Sequence, residues 1–258
     1  MKIKKILVVG DKFHDFSNNK DVVTTSQLEQ LIQNPTKIID NEHEFIVGQG
    51  VRRDFIRNIL SNHEKNDIFK NKFKICALES FINNKGNHNS HKKKDENILI
   101  GISEPVEKED NIYVMPLIID ERCELMSDHQ TGKHIQGMLL VEAGRQAFIA
   151  VTEEWIYGKG CDLYYVINEI SIKFSSFLFP LPTIIHFEFI DKNIKNRRGS
   201  FKAQVRFIQN QIVCATMDVS FTVYPSSMIH KKEKALADVA VNTALLSVVK
   251  EERQVSHA

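Results

Sequence analysis

The chain has 258 residues, of which 42% are hydrophobic and 26% charged, an ordinary globular composition with room for one large domain or two small ones. Thirty-four basic side chains against 33 acidic ones leave a formal net charge of only +1. That balance excludes a global field drawing the protein to nucleic acid or to an anionic membrane, so binding has to come from a local site. Eleven glycines and six prolines are few for this length and imply long regular elements.

In chain order, residues 3 to 10 (IKKILVVG) form a buried-strand pattern, and Thr24-Thr25-Ser26 caps a helix over 27 to 32 that stops near Pro35. Phe45 to Val51 is a second strand candidate. Arg52 to Asn62 places Phe55, Ile56, Ile59 and Leu60 at helical spacing, and Ile75 to Ile82 is a short apolar element. Residues 83 to 97 (NNKGNHNSHKKKDEN) hold almost no apolar side chain and read as a flexible loop or linker.

Beyond it, Tyr113 to Asp120 is strand-like, and Ser127 to Gly137 is a polar loop with two histidines. Ile135 to about Trp155 is one long helix, apolar nearly all round, which requires burial on most of its circumference. Strand-like segments follow at 167 to 179, 183 to 190, 200 to 209 and 212 to 224, the last two alternating strictly and joined by the short Gln209-Asn210-Gln211 connection. A half-buried antiparallel sheet needs a cover, and the apolar helix is the one segment of adequate length. The expected fold class is α+β: a hotdog, a curved antiparallel sheet around a central helix, with an additional N-terminal α/β region. Residues 1–82 form the N-terminal region, whose role is open and which a degenerate hotdog half would also explain. Residues 83–97 are the linker, 98–227 the hotdog, and 228–258 a C-terminal helix and tail, with the helix packing on the outside.

Four scattered cysteines without a C-x-x-C pair argue against zinc and for reduced thiols, so no metal site is expected. The apolar run after Met1 is too short for a signal sequence, and no stretch approaches the roughly 20 apolar residues that span a bilayer. The expected location is cytoplasmic, with no membrane or nucleic-acid partner. Gly10-Asp11 after the first strand is too weak a signal for a nucleotide loop. Trp155 reads as packing, and Arg197-Arg198 as a solvated turn.

Three polar residues interrupt the apolar helix. Glu142, Arg145 and Gln146 stand at i, i+3 and i+4, so they form one polar stripe. A carboxylate there is either one half of a structural ion pair with Arg145 or part of a site. Asp128-His129 and His134 lie in the loop feeding the same helix. Gly137 falls in its first turn, where backbone N–H groups lack intrahelical acceptors and a carbonyl oxygen would be polarised.

The string SDHQTGKHIQGMLLVEAGRQA, Ser127 to Ala147, resembles the signature of the A-factor biosynthesis hotdog family (AfsA-like). Asp128, His129, His134, Gly137, Met138, Glu142, Ala143, Arg145, Gln146 and Ala147 fall in register with it. A more distant likeness is to β-hydroxyacyl-ACP dehydratases, with His129 near the loop histidine and Glu142 at the helix carboxylate. The resemblance implies an acyl-thioester site in which a β-ketoacyl group on acyl carrier protein (ACP) is joined to the hydroxyl of a glycerol-type phosphate, dihydroxyacetone phosphate, toward γ-butyrolactone or butenolide signals. The catalytic residues would be Glu142 as general base with His129 or His134 orienting. Gly137 and Met138 would hold the thioester oxygen, with Asp128, Arg145 and Gln146 also facing substrate; Arg145 suits either Glu142 or a phosphate.

No tightly bound cofactor is implied, the carrier being the 4'-phosphopantetheine thioester of ACP or coenzyme A. The implied partners are that carrier, a small phosphorylated acceptor and a second copy in a homodimer. Hydrolysis or dehydration at the same site, and acyl or ACP binding without turnover, are the alternatives. Three positions depart from the family pattern: Lys133 stands for an Asp, Gln136 for the Pro before Gly137, and Gly144 for an Ala. A Gln at 136 is expected to give the helix entrance more freedom than a Pro of fixed φ.

Overall fold

The computed structural model describes residues 3–33, 42–65, 73–84, 94–107, 111–127, 131–158, 160–195 and 198–255, the last ten of them by backbone alone. The N-terminal region is a parallel sheet. Strands β1 (Lys4–Val9), β2 (Val22–Thr24), β3 (His43–Val47) and β4 (Phe73–Lys74) lie in the order β2-β1-β3-β4, every neighbouring pair parallel. Helices α1 (Thr25–Gln33), α2 (Arg53–Lys65) and α3 (Cys76–Asn83) connect and cover it. Val8, Phe45, Leu28, Ile56 and Leu78, all fully buried, form its core. A hotdog half is antiparallel around a helix, so the alternative of a degenerate half at 1–82 is corrected to a parallel α/β unit. The expected cap of α1 is a reciprocal pair: the Gln27 N–H donates to Thr24 Oγ1 at 3.3 Å and the Thr24 N–H to Gln27 Oε1 at 2.9 Å. The expected stop at Pro35 lies outside the described residues.

The second unit is the hotdog. Strands β5 (Glu104–Pro105), β6 (Ile112–Pro116), β7 (Leu163–Phe174), β8 (Ile184–Lys195), β9 (Arg198–Gln209) and β10 (Ile212–Pro225) form an antiparallel sheet ordered β5-β6-β8-β9-β10-β7. Helix α4 (Gly137–Val151) lies against β7 to β10 and runs on through a π-helical turn, Thr152–Tyr157. Its Leu139, Leu140, Ala143, Ala147 and Phe148 join the inward rows Ala203, Val205, Phe207 of β9 and Ala215, Met217, Val219, Phe221 of β10 in one cluster. Phe148 stacks on Phe221 with ring centroids 4.4 Å apart. These are the rows the alternation predicts, with Thr222 and Cys214 of the opposite row also buried. A register shift between Val213 and Ala215 turns Cys214 inward and leaves Val213 exposed, as a β-bulge does. The β9–β10 hairpin turns at Asn210 and Gln211, both at positive φ (51° and 66°), the geometry that matches strand twist.

The two units share a core: Val9 and Phe13 of the first belong to the cluster around α4. Gln49, 3% exposed, sits at the seam. Its side-chain amide donates to Leu117 O at 3.0 Å and Leu181 O at 3.2 Å, and its Oε1 accepts from the Ile119 N–H at 2.9 Å. Glycine is needed beside it, because a Cβ on Gly48 would lie 2.2 Å from Pro180 O.

The linker expected at 83–97 falls mostly outside the described residues, but its end is anchored. Lys94 pairs with Glu124 at 2.7 Å, and Asn97 is held at both its carbonyl and its side-chain oxygen. The expectation that the C-terminal helix packs on the outside is corrected. Helix α5 (Ser226–Val255) is seated only at its start, where Ile229 is buried and Tyr164 Oη donates to Glu233 at 2.5 Å. From Lys231 to Leu245 every side chain is exposed.

Candidate functional site

The polar stripe of α4 forms as its spacing requires. Arg145 grips Glu142 through two hydrogen bonds, Nε to Oε2 at 2.7 Å and Nη2 to Oε1 at 2.9 Å. Gln146 donates to Glu142 Oε1 at 2.9 Å and to Asn97 O at 2.8 Å, while its Oε1 accepts the Leu99 N–H at 2.8 Å. The hydrogen bonds from Arg145 to Glu142 raise the guanidinium pKa above its usual value, against the lowering effect of burial. Gln146 therefore ties the chain segment entering the hotdog to the central helix. Asn97 and Leu99 were not legible in sequence, since both offer backbone groups.

The first turn of α4 faces a different space. A cavity of about 640 Å³ is lined by His134, Gly137, Leu140, Phe174, Phe177 and Leu178, with Ser175 and Ser176 between the aromatic residues. That size falls within the range of small-molecule sites. The His134 ring lies 4.9 Å from Phe177, and its Nδ1 is 3.2 Å from Thr131 Oγ1. Phe174 and Phe177 are each more than half exposed, so the rim is apolar and open. A Cβ on Gly137 would lie 2.7 Å from Phe174 Cζ, which explains the bare backbone at this turn. The N–H groups of Gly137 and Met138, in the first turn, have no intrahelical acceptors and carry the positive end of the helix dipole.

The cavity and the stripe are on different sides of the helix. Five residues separate Gly137 from Glu142, a rotation of about 140° at 3.6 residues per turn. The structure thus brings His134 and Gly137 together at the cavity and Glu142, Arg145 and Gln146 together elsewhere, while the exposed side chain of Met138, four residues before Glu142, is on the helix face of the stripe. Asp128 and His129 lie outside the described residues. The cavity wall Phe174 to Leu178 is not legible in the sequence, where these residues read as one continuous strand. The strand ends at Phe174, and Ser175 and Ser176 both donate their N–H to Cys214 O as the chain bends.

The two departures on the helix also have structural accounts. Gln136 adopts φ −70° and ψ 145°, the φ a proline would impose, and its amide donates to Leu125 O at 2.9 Å. The backbone at 136 thus has the conformation a proline would impose, with this hydrogen bond where the ring would be. Gly144 faces Met217, whose Cε would be 2.4 Å from an added Cβ, so the smaller residue and the long thioether fill one volume. Trp155 packs as expected, 5.7 Å from the Tyr113 ring, with its Nε1 donating to Ser103 Oγ. Of the expected solvated turn, Arg197 lies outside the described residues, and Arg198 stacks its guanidinium over Tyr224 at 4.9 Å.

Among the described residues, no group of three His, Cys, Asp or Glu is placed to hold a metal, and no helix is long and apolar enough to cross a membrane. The family described as the A-factor biosynthesis hotdog domain (AfsA) matches residues 85–225. Similar solved structures include a putative thioesterase from Shewanella oneidensis, at 12% identity and TM-score 0.38, covering 50% of this chain and 87% of that one. A mutant thioesterase from Pseudomonas aeruginosa aligns at 14% identity and TM-score 0.38, covering 53% and 89%. A thioesterase from Haemophilus influenzae aligns at 12% identity and TM-score 0.35, covering 50% and 80%. Among curated proteins none matches the chain. With its helix signature, its wrapped antiparallel sheet and a family match over more than half of its length, the chain belongs to the A-factor biosynthesis (AfsA) hotdog family.

Proposed function

We propose that the protein is an acyltransferase-like enzyme acting on an ACP or coenzyme A thioester, joining a β-ketoacyl group to the hydroxyl of a glycerol-type phosphate. The observation that carries this reading is the apolar cavity closed at one end by the first turn of the central helix in a chain of this family. A thioester carbonyl set against the Gly137 and Met138 N–H groups would be polarised. The acceptor oxygen attacks the carbonyl carbon, its proton passes to a base, the C–S bond breaks, and the thiol leaves protonated. His134 stands at the cavity as an orienting or proton-accepting group.

Glu142 faces away from the cavity of its own protomer. In our reading it serves as general base across a homodimer, in which Glu142 of one copy meets the cavity of the other. The edge of β7, hydrogen-bonded on one side only among the described residues, supports that assembly. Asp128 and His129 would complete the site from the loop before the helix, and Arg145 would hold Glu142 in place. The reaction requires no bound cofactor beyond the carrier's phosphopantetheine, and we place the protein in the cytoplasm.

A binding protein without turnover is the second reading, favoured by the engagement of both Glu142 oxygens with Arg145 and Gln146. Incubating purified protein with β-ketoacyl-ACP and dihydroxyacetone phosphate, with products followed by mass spectrometry, separates the readings. An ester product supports transfer. Free acid supports a thioesterase and an enoyl product a dehydratase, while acyl-ACP retained unchanged supports binding alone.

A further inference from the structure

The N-terminal unit has a parallel sheet whose strand order reverses between β1 and β3, and ligands of open α/β sheets bind in the crevice at the carboxyl ends of such a strand pair. Here the hotdog fills that crevice. The Gly10 N–H donates to Gln49 O, the Gln49 N–H to Pro180 O and the Gly50 N–H to Ile119 O, and a Cβ on Gly10 would lie 2.2 Å from Gly50 O. The unit is built to dock at this edge, and the segment that leaves β1 runs straight to the candidate site.

That segment holds both described flanks of the loop before α4. Lys12 Nζ donates to Met126 O at 2.7 Å, and the Phe16 N–H donates to Gly132 O at 3.0 Å. Between those two acceptors the sequence runs through Asp128 and His129. Gly132 is at φ +70°, and Asp15 Cβ lies 3.3 Å from where its Cβ would stand, so the far flank fits closely under residues 15 and 16. The Phe16 ring stacks on Phe179 at 5.7 Å; Phe179 meets Phe177 at 6.5 Å, and Phe177 meets His134 at 4.9 Å. Phe13, fully buried, anchors the segment in the hotdog core.

We propose that the N-terminal α/β unit is a brace for the hotdog site, with Lys12 and Phe16 as positioning residues that fix the described flanks of the loop before α4, at Met126 and Gly132, and the aromatic wall of its cavity. Neither residue touches the reacting atoms. Their effect runs through Met126, Gly132 and Phe179.

Amide hydrogen exchange on the full chain tests this. Lys12→Met keeps the aliphatic stem and removes the donor to Met126 O. It should speed exchange across 124–137 by about tenfold or more, the population shift expected for losing one charge-assisted hydrogen bond, while β9 and β10 exchange as before. Lys12→Arg, which restores a donor, should return the slow rate, and Phe16→Leu should speed exchange at 131–134 and 174–179. Unchanged exchange at 124–137 in Lys12→Met, or a rise shared equally by β9 and β10, would overturn the proposal. A second arm rests on the acyl-thioester reading: Lys12→Met should lower kcat at least fivefold with KM changed less than twofold, and Lys12→Arg should recover it. A wild-type protein that turns over no thioester, combined with the local exchange response, sinks the acyl-thioester reading and leaves the brace standing.

Discussion

Replacing Gln49 by Leu tests how the two units are held together. Leucine fills nearly the same volume but leaves Leu117 O and the Ile119 N–H, now bonded to the amide, without that partner in a buried seam, while Leu181 O keeps the Thr183 hydroxyl at 3.1 Å. Each orphaned group costs about 1–3 kcal/mol, and the gain from burying two methyl groups offsets part of the sum. A net loss of about 2–3 kcal/mol follows. With a urea dependence of about 2–3 kcal/mol per molar, the unfolding midpoint should drop by about 1 M. Equilibrium urea unfolding followed by circular dichroism measures it, with Gln204→Leu as control. Gln204 bonds only to Asp218 on the exposed face and should cost no more than about 0.5 kcal/mol. A loss below about 1 kcal/mol in Gln49→Leu would refute the assignment of this amide as the pin of the seam.

Two further outcomes follow from the same packing and charge arguments. Gly144→Ala gains about 1 kcal/mol of helix propensity but drives a Cβ into Met217, so alone it should destabilise by about 1–2 kcal/mol. Combined with Met217→Val it should recover most of that loss, and a thermal-melting double-mutant cycle giving additive effects would contradict the shared volume. For Asp11, burial alone would raise the carboxyl pKa, but hydrogen bonds from Ser26, Thr24 and Thr25 outweigh it and hold it below its usual 3.8. A depressed folded pKa means the contribution to stability is present above the unfolded value and is lost as pH falls through the folded one. Asp11→Asn should therefore be less stable than wild type at pH 6, with the gap closing below about pH 4; a gap independent of pH in acid titrations would remove the carboxylate from the capping role at α1.

What could be read from sequence was whatever a single element states by itself. The strict alternation of 200–209 and 212–224 comes from one wet and one dry face. The absence of a wet face on α4 demanded a sheet around it, and both features survive in the structure with one bulge at Cys214. The Glu142, Arg145, Gln146 stripe followed from helical spacing and formed. Contacts made across the fold by backbone atoms were not legible: Gln146 to Asn97 and Leu99, Gln49 to three carbonyls and amides, Lys12 to Met126 O. Nor did spacing along one helix say that Gly137 and Glu142 point to different spaces, because the cavity at Gly137 is bounded by a bend after β7 that reads in sequence as more strand. The parallel pairing of the first four strands escaped for the same reason, since strand direction is a property of pairs.

The most direct test of the account compares wild-type protein with Glu142→Gln and Gly137→Ala in a single-turnover assay with β-ketoacyl-ACP and dihydroxyacetone phosphate. The account predicts an ester product from wild type, a loss of at least a hundredfold in Glu142→Gln, within the range a general base contributes, and a marked loss in Gly137→Ala, whose methyl group displaces Phe174 into the cavity. Full turnover by Glu142→Gln would contradict it.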